Sequence, residues 1–133
     1  MPLFSFEGRE PVVSPTAWIA PTATLVGEVH VEDEASIWYG AVLRADFGPI
    51  FVRRGANIQD GSVLHGGRDP ATEIGAGATV PPGMNVPDGM LAAGVPARVA
   101  GELTPGAKHW VENNPAAYRA LAKRHAAGVR PVP

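Results

Sequence analysis

Residues 37–65 read IWYGAVLRADFGPIFVRRGANIQDGSVLH. Aliphatic residues lead steps of six positions: Ile37, Leu43 and, after an interruption, Val52, Ile58 and Leu64. A helix repeats at about 3.6 residues and a half-buried strand at about 2, so neither accounts for this pattern. A six-residue step means one short strand and one turn per repeat, the hexapeptide signature of a parallel β-helix. Upstream the same rhythm starts at Val13, in VSPTAW, IAPTAT, LVGEVH and VEDEAS. Its lead residues there are Val13, Ile19, Leu25 and Val31, with Ala17, Ala23, Val29 and Ala35 four positions after each. The lead aliphatic points inward and the small residue lets the chain turn.

Three hexapeptides close one triangular coil, so residues about 18 positions apart stack on one another. A single hexapeptide cannot bury its own face, and the coils stabilise one another. Two steps depart from six: Leu43 to Val52 is nine and Leu64 to Ile74 is ten, so the chain bulges near Gly48-Pro49 and after His65. The fold class is mainly β, a parallel β-helix of hexapeptide repeats with a C-terminal α-helix. Coils are expected over about 13–91, a cap over 92–103 and a helical tail over 104–128. Met1 to Pro11 reads as a lead-in with a polar turn at Glu7-Gly8-Arg9, and Phe4 and Phe6 covering one end of the core. In the tail, Thr104-Pro105 and Asn114-Pro115 each suit an N-cap and first helical position. Tyr118, Leu121, Ala122 and His125 form an amphipathic stripe, and Gly128 suits the helix end.

Composition narrows the function classes. The 133 residues fit one domain, and 11 basic against 13 acidic residues give a net charge of −2. That balance argues against nucleic acid or an anionic membrane as partner. There is no cysteine, hence no disulfide, thiolate metal site or cysteine nucleophile. MPLFSFEGREP has no basic start or long apolar run, and the expected compartment is the cytoplasm.

Coil arithmetic decides which polar side chains meet. Arg44 and His65 each follow a lead residue and lie 21 apart, one coil plus the three-residue bulge, so they share an edge. By the same count Gln59 stands above Trp38 and Asp60 above Tyr39. These side chains point out of the prism. The outward set Trp18, Trp38, Tyr39, Phe47 and Phe51 is apolar enough to call for cover, which a closed cyclic trimer would give. Arg53-Arg54 over Glu32-Asp33 reads as a surface charge ladder.

The text APTATLVGEVHVEDEASIWYGAVLRAD at 20–46, GANIQDGSVLH at 55–65, VPPGMNVPDGMLAAGVPARV at 80–99 and PAAYRALAKRH at 115–125 resembles the γ-class carbonic anhydrase family. The resemblance implies a left-handed β-helix, a homotrimer and a zinc at each subunit interface held by three histidines. It assigns His65 as the first metal ligand and Arg44, Asp46, Gln59 and Asp60 as the polar residues around the site. It also implies carbon dioxide and bicarbonate as substrates. The family brings two further histidines within the following coils. Here GGRDPATEIGAGATVPPG follows His65, and the other histidines are His30, His109 and His125. The chain reads as shortened by about two coils, a change a repeat fold tolerates.

A catalytic zinc takes three protein ligands and one open position. The leading expectation is therefore a carbonic-anhydrase-like trimer with an incomplete metal site, weak or absent zinc, and little or no hydration activity. Three alternatives stay open. A metalloenzyme could rebuild its site from His65 with carboxylates such as Asp60, Asp69 or Glu73. A hexapeptide acyltransferase could use His65, which stands immediately before the second bulge. A structural or partner-binding trimer would need neither.

Overall fold

A computed structural model describes residues 3–67, 71–82, 85–86, 91–92 and 105–131. The strands in chain order are β1 (Leu3–Phe4), β2 (Val12–Val13), β3 (Trp18–Ile19), β4 (Thr24–Val31), β5 (Ser36–Ile37) and β6 (Val42–Val52). They continue as β7 (Asn57–Ile58), β8 (Val63–His65), β9 (Thr72–Ile74), β10 (Thr79–Val80), β11 (Asn85–Val86) and β12 (Leu91–Ala92), followed by α1 (Pro105–Gly128). All pairing between these strands is parallel.

The register forms three vertical columns. Leu3, Leu25, Leu43, Leu64 and Val86 stack on one side. Val13, Val31, Val52, Ile74 and Ala92 stack on the second. Ile19, Ile37, Ile58 and Val80 stack on the third. Leu25, Leu43, Ile37, Ile58, Leu64, Ile74 and Val80 are all fully buried. This is the parallel β-helix that the six-residue step predicts, left-handed as the resemblance implies, with one C-terminal helix. Pairing starts at Leu3, ahead of Val13, because Leu3-Phe4 lies in register with Leu25-Val26. The cap expected over 92–103 lies outside the described residues, apart from Ala92.

The outward aromatic set needs correction. Trp38 is only 4% exposed. The cover comes from the chain's own helix: α1 brings His125 to 5.0 Å from the Trp38 ring and 5.5 Å from Trp18, and Tyr118 to 5.6 Å from Trp38. Tyr39 and His125 Nδ1 share a hydrogen bond of 2.5 Å. The predicted stripe is the docked face, with Ala122 buried and Tyr118, Leu121 and His125 half-buried. Phe51 stacks on His30 at 4.9 Å. Phe47 remains 53% exposed. The helix also runs unbroken through Pro115. A proline there removes one backbone donor, and here the helix continues across that gap rather than starting anew at Asn114.

One predicted surface ladder is a clamp. Arg53 donates to Glu32 at 2.8 Å and to Glu73 at 2.7 Å, joining carboxylates from the coils on either side, and lies over the Phe51 ring. The Arg53 hydrogen bond is the main cause that holds Glu32 below its ordinary carboxyl value of 4.5. A depressed carboxyl contributes stability above its unfolded value and loses it as pH falls through the folded one. Arg53→Gln should therefore lower the urea midpoint at about pH 7, and that deficit should shrink as pH drops below about 4.5. Circular dichroism melts in urea across that range check it; a deficit that stays constant would mean the pair contributes nothing through ionisation.

Candidate functional site

The site is built from two neighbouring coils. Arg44 of β6 and His65 of β8 are register partners, as the 21-residue spacing requires. Asp46, two residues after Arg44, projects to the same side of the strand. Arg44 Nη1 donates to Asp46 Oδ2 at 2.9 Å, and the Phe47 amide donates to Asp46 Oδ1 at 2.9 Å. His65 Nε2 lies 3.4 Å from that same Oδ1. Burial pushes the Asp46 carboxyl up, but hydrogen bonding and charge from Arg44, with the backbone amides, outweigh it and leave it below its ordinary value. Asp46 is therefore an anion at neutral pH, facing an imidazole.

Backbone contacts fix this geometry. The Gly66 amide donates to Arg44 O at 3.0 Å. A side chain at Gly66 would meet Gly48 O at 2.0 Å, so the loop carrying Asp46 and the strand end carrying His65 touch there. Thr72 Oγ1 donates to His65 O at 2.9 Å and accepts from the Gly67 amide at 3.1 Å. Thr72 and Gly66 are positioning residues that the sequence reading passes over. The signal was a small polar residue two before a lead aliphatic, where it is buried, and a glycine pair directly after the histidine.

Other expected members lie elsewhere. Gln59 is buried and donates to Asn57 Oδ1 at 2.5 Å, while Asn57 Nδ2 donates to Thr79 Oγ1 at 2.8 Å. That ladder lies on the column of β5, β7 and β10. Asp60 Oδ1 accepts the Tyr39 amide at 3.2 Å and secures a turn. Glu73 is held by Arg53. His30 pairs with Phe51 in register, one column away from His65. His125 belongs to the helix contact. Asp69 lies outside the described residues, as does the side chain of His109.

A catalytic zinc would need three protein donors here. Among the described residues no three of His, Cys, Asp and Glu converge. His65 and Asp46 are two donors, and Asp46 already serves Arg44 and the Phe47 amide. What the arrangement can do unaided is hold an imidazole against a carboxylate at the edge of a solvent-reaching bulge. A carboxylate so placed stabilises the imidazolium that forms when histidine takes a proton.

The fold is that of a hexapeptide-repeat protein of the left-handed β-helix type. No family model matches the chain. It is similar to the carnitine operon protein CaiE of Escherichia coli O157:H7, at 47% identity over 75 residues, which is 56% of this chain and 38% of that protein. CaiE of the Escherichia coli K12 strain matches with the same identity and coverage. The match thus spans well under half the length of these curated relatives. Among solved structures, a hexapeptide transferase family protein from Anaplasma phagocytophilum superposes with a TM-score of 0.60 at 29% identity, covering 91% of this chain and 96% of that one. A Bacillus cereus protein at 23% identity and TM-score 0.55 shares the fold. Among the described residues no helix is long and apolar enough to cross a membrane.

Proposed function

We propose that this chain assembles as a homotrimer and carries out acyl transfer from a thioester at the edge formed by Arg44, Asp46 and His65. The observation that carries the reading is the 3.4 Å approach of His65 Nε2 to an Asp46 carboxylate already fixed by Arg44. Likeness to a hexapeptide transferase supports it. In this reading His65 takes the proton of an acceptor amine or hydroxyl. The acceptor attacks the thioester carbonyl, the carbon–sulfur bond breaks, and the thiolate leaves and is reprotonated from the imidazolium. Arg44 keeps Asp46 ionised, and Asp46 steadies the imidazolium. Assembly is supported by exposed Phe4 and Val63 beside this edge, since Phe4, Val26, Arg44 and His65 form one outward column.

A second reading keeps the carbonic-anhydrase-like trimer with an incomplete metal site; the SIWYGAVLRAD and NIQDGSVLH motifs favour it. One set of measurements separates the two. Thiol release from acetyl coenzyme A, with an amine acceptor panel, should fall by about a hundredfold or more in His65→Ala. Asp46→Asn should lose less. Carbon dioxide hydration followed by stopped flow, with zinc or cobalt added, should stay at background. Thioester turnover that survives His65→Ala unchanged would reject acyl transfer. Hydration that depends on added metal and on His65 would instead show that a neighbouring subunit completes a metal site. Light scattering at micromolar concentration should give a trimer, and a stable monomer would count against both readings.

A further inference from the structure

A second concave site, sharing no residue with this edge, lies between α1 and the first coils. It is a cleft of about 320 Å³, which falls within the range of small-molecule pockets. Its apolar surface comes from Ala17, Trp18, Ala35, Ala122 and Ala126, and its rim carries Glu34, Arg119 and Lys123. Small side chains on both walls keep it open. Four of the apolar lining residues are alanines, and they leave room that larger aliphatics would fill.

The rim is built at a conformational cost. Glu34 has φ of +59°, the left-handed region that disfavours side chains. The same corner on the next two coils holds glycine: Gly55 donates to Asp33 O, and Gly77 donates to Arg54 O. Glycine would fit at position 34 without strain, yet a carboxylate stands there. That carboxylate reaches Arg119 Nε at 3.6 Å and Arg54 Nη2 at 3.6 Å. Arg119 in turn lies over Gly55, where a Cβ would meet Nη1 at 3.0 Å. Glu34 therefore fixes one guanidinium across the cleft mouth. A backbone outlier maintained by its surroundings points to a function for the side chain it presents.

Charge selects the ligand. The lining carries two cations and one carboxylate, and that carboxylate is taken by two guanidinium groups. Among the described residues Lys123 has no ion-pair partner. We infer that this cleft binds a small organic monocarboxylate, with its compact apolar or aromatic body against Trp18 and the alanines and its carboxylate toward Lys123 and Arg119. An aromatic body would gain ring contacts with the Trp18 indole. Glu34 is a positioning residue that holds Arg119. The site is independent of His65, so its occupant need not be the substrate of the proposed acyl transfer.

Benzoate is the probe, with benzylamine and benzamide as cationic and neutral controls of the same body. Titrated into the full chain and followed by the Trp18 indole resonance in two-dimensional NMR, benzoate should give a saturable shift, and both controls should bind more weakly. Lys123→Gln should weaken benzoate by about threefold to fivefold, the scale of one exposed ion pair. Ala126→Leu, at an exposed helix position, should abolish the shift by filling the cleft. His65→Ala should leave it unchanged. The inference is overturned if no saturable shift arises up to about 20 mM, weaker than expected even for so small a ligand. Equal binding of benzylamine, or benzoate binding indifferent to Ala126→Leu, would overturn it as well.

Discussion

Ile58→Ala should lower unfolding free energy by about 2–5 kcal/mol, toward the upper part of the range for such core truncations. Ile58 is fully buried between Ile37 one coil away and Val80 on the next. The cost depends on how far neighbours can collapse into the vacated space. In a β-helix they can collapse little, because parallel ladders hold adjacent coils about 4.8 Å apart. The Asn57 and Gln59 amides donate to Ala78 O and Val80 O, and the Trp38 amide donates to Ile58 O, so both floors of the cavity are pinned. Val12→Ala, at a 59% exposed position of β2, is the control and should change stability by under about 0.5 kcal/mol. Urea denaturation at matched protein concentration measures both. Equal effects would mean that the lead positions do not fill the prism.

Gly27→Ala should be comparably damaging, about 3–5 kcal/mol, for two additive reasons. Gly27 has φ of +79°, where a side chain is strained. A Cβ there would also come within 2.4 Å of Ala45 O, a backbone atom of the next coil. This is the corner where the pairing of β4 and β6 shifts register, with Gly27 opposite Ala45 and Val29 opposite Ile50. Relief of the clash would push β6 outward just before Asp46, so the variant should also disturb the Arg44–Asp46–His65 edge. Gly8→Ala separates the two causes. Gly8 has the same φ of +79° with nothing within 4 Å of its would-be Cβ, so it should cost only about 1 kcal/mol. Thermal melts of the two variants should therefore differ widely. A similar small loss in both would show that β6 yields easily at Ala45.

The edge and the cleft respond to different changes. His65→Ala addresses only the edge, and Ala126→Leu only the cleft beneath α1. Gly27→Ala strikes the scaffold that places Asp46. Loss of thioester turnover in that variant, with Trp18 resonances unmoved, would locate the damage in the insertion between Ala45 and Ile50 rather than in the helix contact.

The six-residue step determined the columns of this protein without any tertiary information. Each coil repeats the environment of the one before, so the inward positions of Ile19, Ile37 and Ile58, and the meeting of Arg44 with His65, follow from counting. The amphipathic stripe Tyr118, Leu121, Ala122 and His125 likewise announced a helix with one face to bury. What the repeat could not determine lies wherever the chain departs from periodicity. The conformation of the insertion after Ala45 brings Asp46 to His65, and that depends on the close approach of Gly48 and Gly66. Gln59 and Asp60, one and two residues past a lead position, looked equivalent to the edge residues but bond to Asn57 and to the Tyr39 amide instead. Which prism face α1 covers was also beyond counting, since an apolar stripe fits any apolar surface of suitable shape. Docking on Trp18, Trp38 and Tyr39 was decided by the packing of those rings around His125, and with it the cleft that Glu34 and Lys123 border.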